Sequence, residues 1–172
     1  MKATDLLQKD HAAVMTLFAE LERPTTPTGQ SRRELIEKLA TELEVHAEIE
    51  HEIFYPAMRE IDGAERLVEG AEQEHQEIRE LLAEVLGMDH TDGELEGRIG
   101  DLQTAVLHHA TAEEQGMFRR AKELDAEDLE RLGEELAYRK RELLQGSKPS
   151  HRRPFEARRS ARPGRRGSPR AA

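Results

Sequence analysis

Cysteine and tryptophan are absent from this 172-residue chain, and aromatic residues make up only 3% of it. Without cysteine there is no disulfide framework, no thiolate zinc site, no cysteine-ligated cluster and no catalytic thiol. The shortage of aromatic and β-branched residues removes what strands favour. No stretch reaches the roughly 20 apolar residues of a membrane helix, and the N-terminal Met-Lys-Ala-Thr-Asp-Leu-Leu has no apolar signal core. The expectation is a cytoplasmic protein with no membrane partner. What is abundant is charge, at 36% of residues, together with Leu, Glu, Ala and Arg. That balance predicts an all-α protein, and the length predicts one domain with appendages.

The net charge of −10 conceals a division. Residues 146–172 carry nine Lys/Arg and one acid, Glu156, so this stretch is +8 and the body before it −18. An acidic body does not favour nucleic acid as a partner of the folded part. The Arg-, Pro- and Gly-rich tail is expected to be disordered. It remains open to nucleic acid, to an acidic partner, or to the chain's own bundle.

Four helical stripes are legible. The first runs over about residues 4–22, with Leu7, Val14, Phe18 and Leu21 spaced by threes and fours and His11 in the vacant place. Pro24 to Gly29 breaks it, and Ser31 with Glu34 forms a capping box for the second. That helix aligns Ile36, Leu39, Leu43, His46, Glu50 and Ile53, and Pro56 is expected to kink or end it. Asp62-Gly63 makes the next turn, with Asp62 and Glu65 as a cap. The third stripe is Leu67, Ala71, His75, Ile78, Leu82 and Val85. Gly87 to Gly93 turns again, Thr91 and Glu94 repeating the capping pattern. The fourth stripe is Leu95, Ile99, Leu102, Val106, His109, Glu113 and Met117. Leu129, Leu132, Leu136 and Leu143 mark a fifth helix after Asp125. The predicted organisation is an up-down-up-down four-helix bundle over residues 1–123, an accessory helix over 124–145 and a tail over 146–172.

His46 and Glu50 lie four residues apart, as do His109 and Glu113, so each pair leaves one helix face about 6 Å apart along the axis. His11 precedes the first pair by 35 residues and His75 precedes the second by 34. In antiparallel helices, residues equidistant from a turn share a height. Taking 48 and 111 as the heights of the two pairs, the midpoint with His11 falls beside Gly29, and that of 48 with His75 beside Asp62 and Gly63. The midpoint of 75 and 111 is Gly93. All three are turns already read from Pro, Gly and capping signals. His11, His46, Glu50, His75, His109 and Glu113 are therefore expected in one interior layer.

Taken singly, a histidine on an apolar face is an ordinary hydrogen-bonded core residue, and a His–Glu pair an ordinary surface interaction. Six such groups in one buried layer would each cost several kcal/mol to desolvate, which a bound cation offsets. Four imidazoles and two carboxylates suit iron, manganese or zinc and not copper(I). The repeat points to two ions bridged by Glu50 and Glu113. His51 and His108 fall off the stripes, His90 lies in a turn and His151 in the tail. Glu48, Glu52 and Glu114 read as solvated acids, and Tyr55 as an interfacial tyrosine ahead of a hydrogen-bond donor behind the ligands.

Asp10-His11, His46-x-x-x-Glu50 with Ile53-Phe54-Tyr55-Pro56, Glu74-His75, and His109-x-x-x-Glu113-Glu114 with Met117-Phe118 resemble the motifs of hemerythrin-like proteins with the HHE cation-binding domain. The resemblance spans about residues 3–122. It implies a four-helix bundle holding two non-heme irons that bind O2 or react with peroxide or nitric oxide. Oxygen-carrying hemerythrins have a fifth histidine where this chain has Arg79, and a final aspartate five residues after the last histidine, where this chain has Glu113 at four. Arg119 stands where they have proline. The expected role is a sensor or catalase-like detoxifier of small oxidants, the alternatives being iron storage or an interaction module using the basic tail.

Overall fold

A computed structural model describes residues 1–23, 31–89 and 93–146. Its helices are α1 (Ala3–Leu21), α2 (Arg32–Ile49), a π-helical turn (Glu50–Phe54), α3 (Tyr55–Arg59), α4 (Glu65–Gly87), α5 (Leu95–Gln115), α6 (Met117–Ala121) and α7 (Ala126–Gly146). Among the described residues there is no strand. Helices α1, α2, α4 and α5 form the bundle, each packed on the helix that follows it around the ring, with α5 closing on α1. The tail beyond Gly146, Gly29, His90, Thr91 and His151 lie outside the described residues.

The apolar stripes are buried as their spacing requires. In α4, however, the buried residue of the first turn is Val68, whereas Leu67 is 37% exposed. Steps of three and four alternate from Val68 through Ala71, His75, Ile78, Leu82 and Val85, whereas Leu67 needs two successive steps of four and drifts off the stripe. The capping box on α2 is complete: the Glu34 amide donates to Ser31 Oγ (3.2 Å) and the Ser31 amide to Glu34 Oε2 (2.7 Å). At α4 the expected Asp62 cap is replaced. The helix begins after Ala64 without a side-chain cap, the turn being closed by the Ala64 amide on the Ile61 carbonyl and by Gly63 at φ 76°.

Pro56 interrupts the second helix by way of the π-turn between α2 and α3. Its ring cannot donate to, and would collide with, the carbonyl four residues back. The chain widens just upstream instead, so that the Tyr55 amide donates to the Glu50 carbonyl, a five-residue π spacing. Pro56 then sits in the first turn of α3, where its missing amide is harmless. The second repeat breaks at a different residue. Gly116 separates α5 from α6, and a Cβ there would press to 2.9 Å on the Ala112 carbonyl oxygen.

The core is divided. One apolar cluster contains Leu6, Leu7, Phe54, Tyr55, Met58 and Met117 and extends to α7 through Leu129, Leu132 and Leu136. The other contains Val14, Phe18, Leu39, Leu82, Leu95 and Leu102. Between them lies a layer of buried polar residues.

Helix α7 packs on α1, α2 and the π-turn. Gly133 allows this, because a Cβ there would overlap the Met1 carbonyl oxygen and come within 2.9 Å of Ala3 N and of the Lys2 carbonyl carbon. Those are backbone atoms and cannot rotate away. Gly133→Ala is therefore expected to destabilise the protein by about 1–3 kcal/mol through overpacking, despite alanine's better helix propensity. Urea unfolding checks this, and unchanged or raised stability would show that the contact is not needed.

Candidate metal centre

The six residues of the layer converge from four helices. His11, His46, Glu50, His75, His109 and Glu113 are all buried, Glu50 completely. One ligand-type atom from each of His11, His46, Glu50, His109 and Glu113 falls within 4.8 Å of all the others. His75 adjoins this group, its Nε2 being 3.2 Å from Glu50 Oε2 and 3.1 Å from His109 Nε2. His46 Nε2 lies 3.3 Å from Glu50 Oε1, and His11 Nε2 lies 3.4 Å from Glu113 Oε2.

These distances bring lone pairs together without enough protons to share. His11 Nε2, His46 Nε2, Glu50 Oε1 and both Glu113 oxygens are buried with no hydrogen-bond partner. Such orphaned acceptors are costly in a low-dielectric interior. A multivalent cation is the partner whose chemistry satisfies imidazole nitrogen and carboxylate oxygen together, so the donor set fits a metal.

The outward ring nitrogens show how the imidazoles are held. Glu114 Oε1 lies 2.9 Å from His11 Nδ1, and Glu74 Oε2 lies 3.1 Å from His109 Nδ1. Asp10 Oδ2 faces His46 Nδ1 at 3.8 Å, while Asp10 Oδ1 pairs with Lys140 of α7 at 2.9 Å. Each acid backs a histidine on a neighbouring helix. This arrangement fixes tautomers, leaving the inward nitrogen free to bind.

Two of these assignments revise the sequence reading. Glu114, expected in the solvated face, supports His11. Tyr55, read as interfacial ahead of a hydrogen-bond donor to the site, is fully buried and takes the donor role, giving its hydroxyl to Glu50 Oε2 at 3.2 Å. On an α-helix, five residues would place Tyr55 roughly 140° around from Glu50. The π-turn brings it back to the same side. The signal for the outer acids was present: Asp10 and Glu74 immediately precede the lead histidines of the two repeats, and Glu114 follows Glu113. One step along a helix turns roughly 100°, enough to face the next helix. His108 stays outside the layer, its side chain 73% exposed. His51, half-buried, borders the layer, and its Nε2 lies 3.2 Å from His75 Nδ1.

The layer's ionisation is polarised. Burial, reinforced by Glu113, pushes the Glu50 carboxyl well above its ordinary range. Glu113 is held low because His11 and His109 outweigh its burial. Burial pulls His46 down to about 4 against the pull of Asp10. Burial and the neighbouring His109 hold His75 well below the usual imidazole range. His11 is raised, since Glu113 and Glu114 overcome its burial. Tyr55 is raised by burial and by Glu50, so it stays a hydroxyl donor. Neutral imidazoles are the form a metal needs.

A cavity of about 640 Å³ opens beside the layer between α2 and α4. Its walls include Val14, Leu43, Ile78, Leu82 and Val106, and His51 and Arg79 also line it. No sequence feature marked this opening.

Buried imidazoles and carboxylates facing one another across a four-helix bundle define the class of carboxylate–histidine metal proteins. Within that class the chain belongs to the hemerythrin family, since the profile of the hemerythrin HHE cation binding domain matches residues 2–145. The chain is similar to a crystal structure from Mycobacterium kansasii, a hemerythrin HHE cation binding domain-containing protein. The TM-score is 0.75 at 26% identity, covering 85% of this chain and 89% of that one. An uncharacterized protein of Mycobacterium tuberculosis is 29% identical over 150 residues, or 86% of this chain and 89% of that protein. A DNA nickase of Nostoc sp. is 30% identical over 118 residues, covering 69% of this chain; the chain spans about a third of that relative's length. Metal binding accompanies the family. Among the described residues no helix is long and apolar enough to cross a membrane.

Proposed function

We propose that the chain is a non-heme di-iron protein that binds or reacts with small oxidants: O2, peroxide or nitric oxide. His11, His46, Glu50, His75, His109 and Glu113 would hold the metal, with Glu50 and Glu113 as the carboxylates available to bridge two ions. The carrying observation is the buried set of partnerless nitrogens and oxygens that meet at the end of an open cavity. A closed structural site has no use for an access route.

Two adjacent irons would supply paired one-electron redox changes and open positions for a small ligand. The protein's own contribution is support. Glu114 and Glu74 orient His11 and His109, and Asp10, held by Lys140, faces His46. Tyr55 holds a proton against Glu50, one hydrogen bond from the inner layer. Val14, Leu43, Ile78, Leu82 and Val106 line the approach together with the charged Glu44, Glu48 and Arg79.

The test is to purify the protein without oxygen, count iron per chain, then add O2 and peroxide separately while following the charge-transfer absorption. The expected result is two irons per chain and a spectral response to at least one oxidant. Rapid peroxide loss would assign detoxification, and a spectrum reversed by removing O2 would assign sensing. Bound zinc, no bound metal, or iron that ignores both oxidants would sink the reading.

A further inference from the structure

The two halves of the layer are related by a repeat, yet their outer supports differ at one place. His11 and His75 are the lead histidines of the two repeats. Glu114, the residue after Glu113, backs His11 at 2.9 Å. The residue after Glu50 is His51, and it backs His75, Nε2 to Nδ1, at 3.2 Å. One repeat thus supplies a carboxylate where the other supplies an imidazole.

Arg79 decides which form that imidazole takes. Its Nη1 donates to Gln76 Oε1 at 3.2 Å, and its Nη2 lies 3.3 Å from the same His51 Nε2. A guanidinium can only donate, so His51 Nε2 must accept, and the ring's own proton lies on Nδ1. That nitrogen faces Glu72 Oε1 at 3.9 Å. The single lone pair of His51 Nε2 is then shared between Arg79 Nη2 and His75 Nδ1 as a three-centre acceptor, which leaves His75 Nε2 bare on the inner side, 3.2 Å from Glu50.

We infer that His51 and Arg79 are positioning residues that hold His75 through a neutral acceptor, giving the metal centre one electron-poor end beside the cavity. This rests on the di-iron reading above. A carboxylate behind an imidazole raises its basicity, and that in turn feeds the metal; a neutral imidazole behind His75 gives less. An ion held by His75 would be the more electrophilic of the two. His51, His75 and Arg79 all line the cavity, so this end meets an incoming electron-rich ligand. Arg79 occupies the position of the extra histidine of the oxygen carriers, and here it shapes the site from outside the ligand shell.

Two measurements test this. In metal-free protein labelled with ¹⁵N-histidine, His51 and His75 should each carry their proton on Nδ1, and Arg79→Met should leave His51 as a mixture of tautomers. A His51 proton on Nε2 would overturn the inference. In iron-loaded protein, His51→Glu should keep both irons, lower the midpoint potential and bring the two Mössbauer quadrupole splittings closer together. His51→Ala should lose about 10–100-fold in affinity for one iron only. An unchanged potential and unchanged splittings in His51→Glu would also overturn it. Absence of iron from the wild-type protein would overturn the di-iron reading instead, and the tautomer measurement, made without metal, separates the two failures.

Discussion

Glu50→Gln is expected to empty the site of iron while making the metal-free protein more stable. The amide matches the carboxylate in shape and can still accept from Tyr55, whose hydroxyl lies 3.2 Å away. It cannot supply the negative charge a bridging ligand needs, so iron affinity should fall at least about 100-fold. Stability moves the opposite way. Glu50 is fully buried, its carboxyl is pushed well up by burial and by Glu113, and Oε1 has no hydrogen-bond partner. Removing an ionisable group from such a place should stabilise the metal-free fold by about 1–4 kcal/mol. Iron counting and urea unfolding read the two effects. His108→Ala is the control and should leave iron unchanged, since that side chain is 73% exposed. Equal iron in Glu50→Gln and wild type would defeat the ligand assignment.

His46 should cost the metal-free protein stability over a defined acid window. His46 is held neutral in the fold down to about 4, whereas the unfolded chain protonates it at about 6.5. As pH falls from 6.5 to 4 the unfolded state therefore binds the extra proton, and stability is lost, by about 3 kcal/mol from His46 alone. His75 acts with the same sign, being lowered by burial and by His109. His11 and Glu50 oppose them: the raised value of His11 contributes stability below 6.5 that disappears as pH rises through its folded value, and Glu50, raised by burial and by Glu113, takes up its proton in the fold before the unfolded chain does as pH falls. His46→Leu isolates one contribution: across this window its stability should fall by about 3 kcal/mol less than wild type. Identical pH profiles would show that His46 is not buried as a neutral ring.

Much of the inner layer was legible because it depends on one number, the residues per turn of an α-helix. Where that number held, from His11 to His46 and from His75 to His109, the heights implied by the turns matched the positions found. It failed just after Glu50. There Pro56 forces a wider turn, and a stripe extended through Ile53 misses what the backbone does with Phe54 and Tyr55. Phe54 and Tyr55 are fully buried, while Ile53 is only partly so. His51 was set aside for the same reason: distance from a stripe says nothing about a neighbouring helix that reaches over. The outer acids escaped because a carboxylate beside a histidine in sequence serves a histidine elsewhere in space. The cavity was not legible at all, since it depends on how far α2 and α4 stand apart.

The divided core has a consequence for how the molecule holds together. Its two apolar clusters pack separately above and below the polar layer, so hydrophobic burial alone gives neither half much reason to wait for the other. The four helices pass through both, but the layer between them is populated by groups that repel or lack partners. A multivalent ion bonded to residues of α1, α2, α4 and α5 would fasten all four at the one height where side-chain packing does not. In that arrangement metal occupancy sets folding cooperativity. The loaded protein opens as a single unit, whereas the stripped protein can fray from the α7 end while the opposite half stays closed. Hydrogen exchange on stripped and loaded protein distinguishes these cases, and one uniform opening free energy in the stripped form would show that the halves are coupled without the ion.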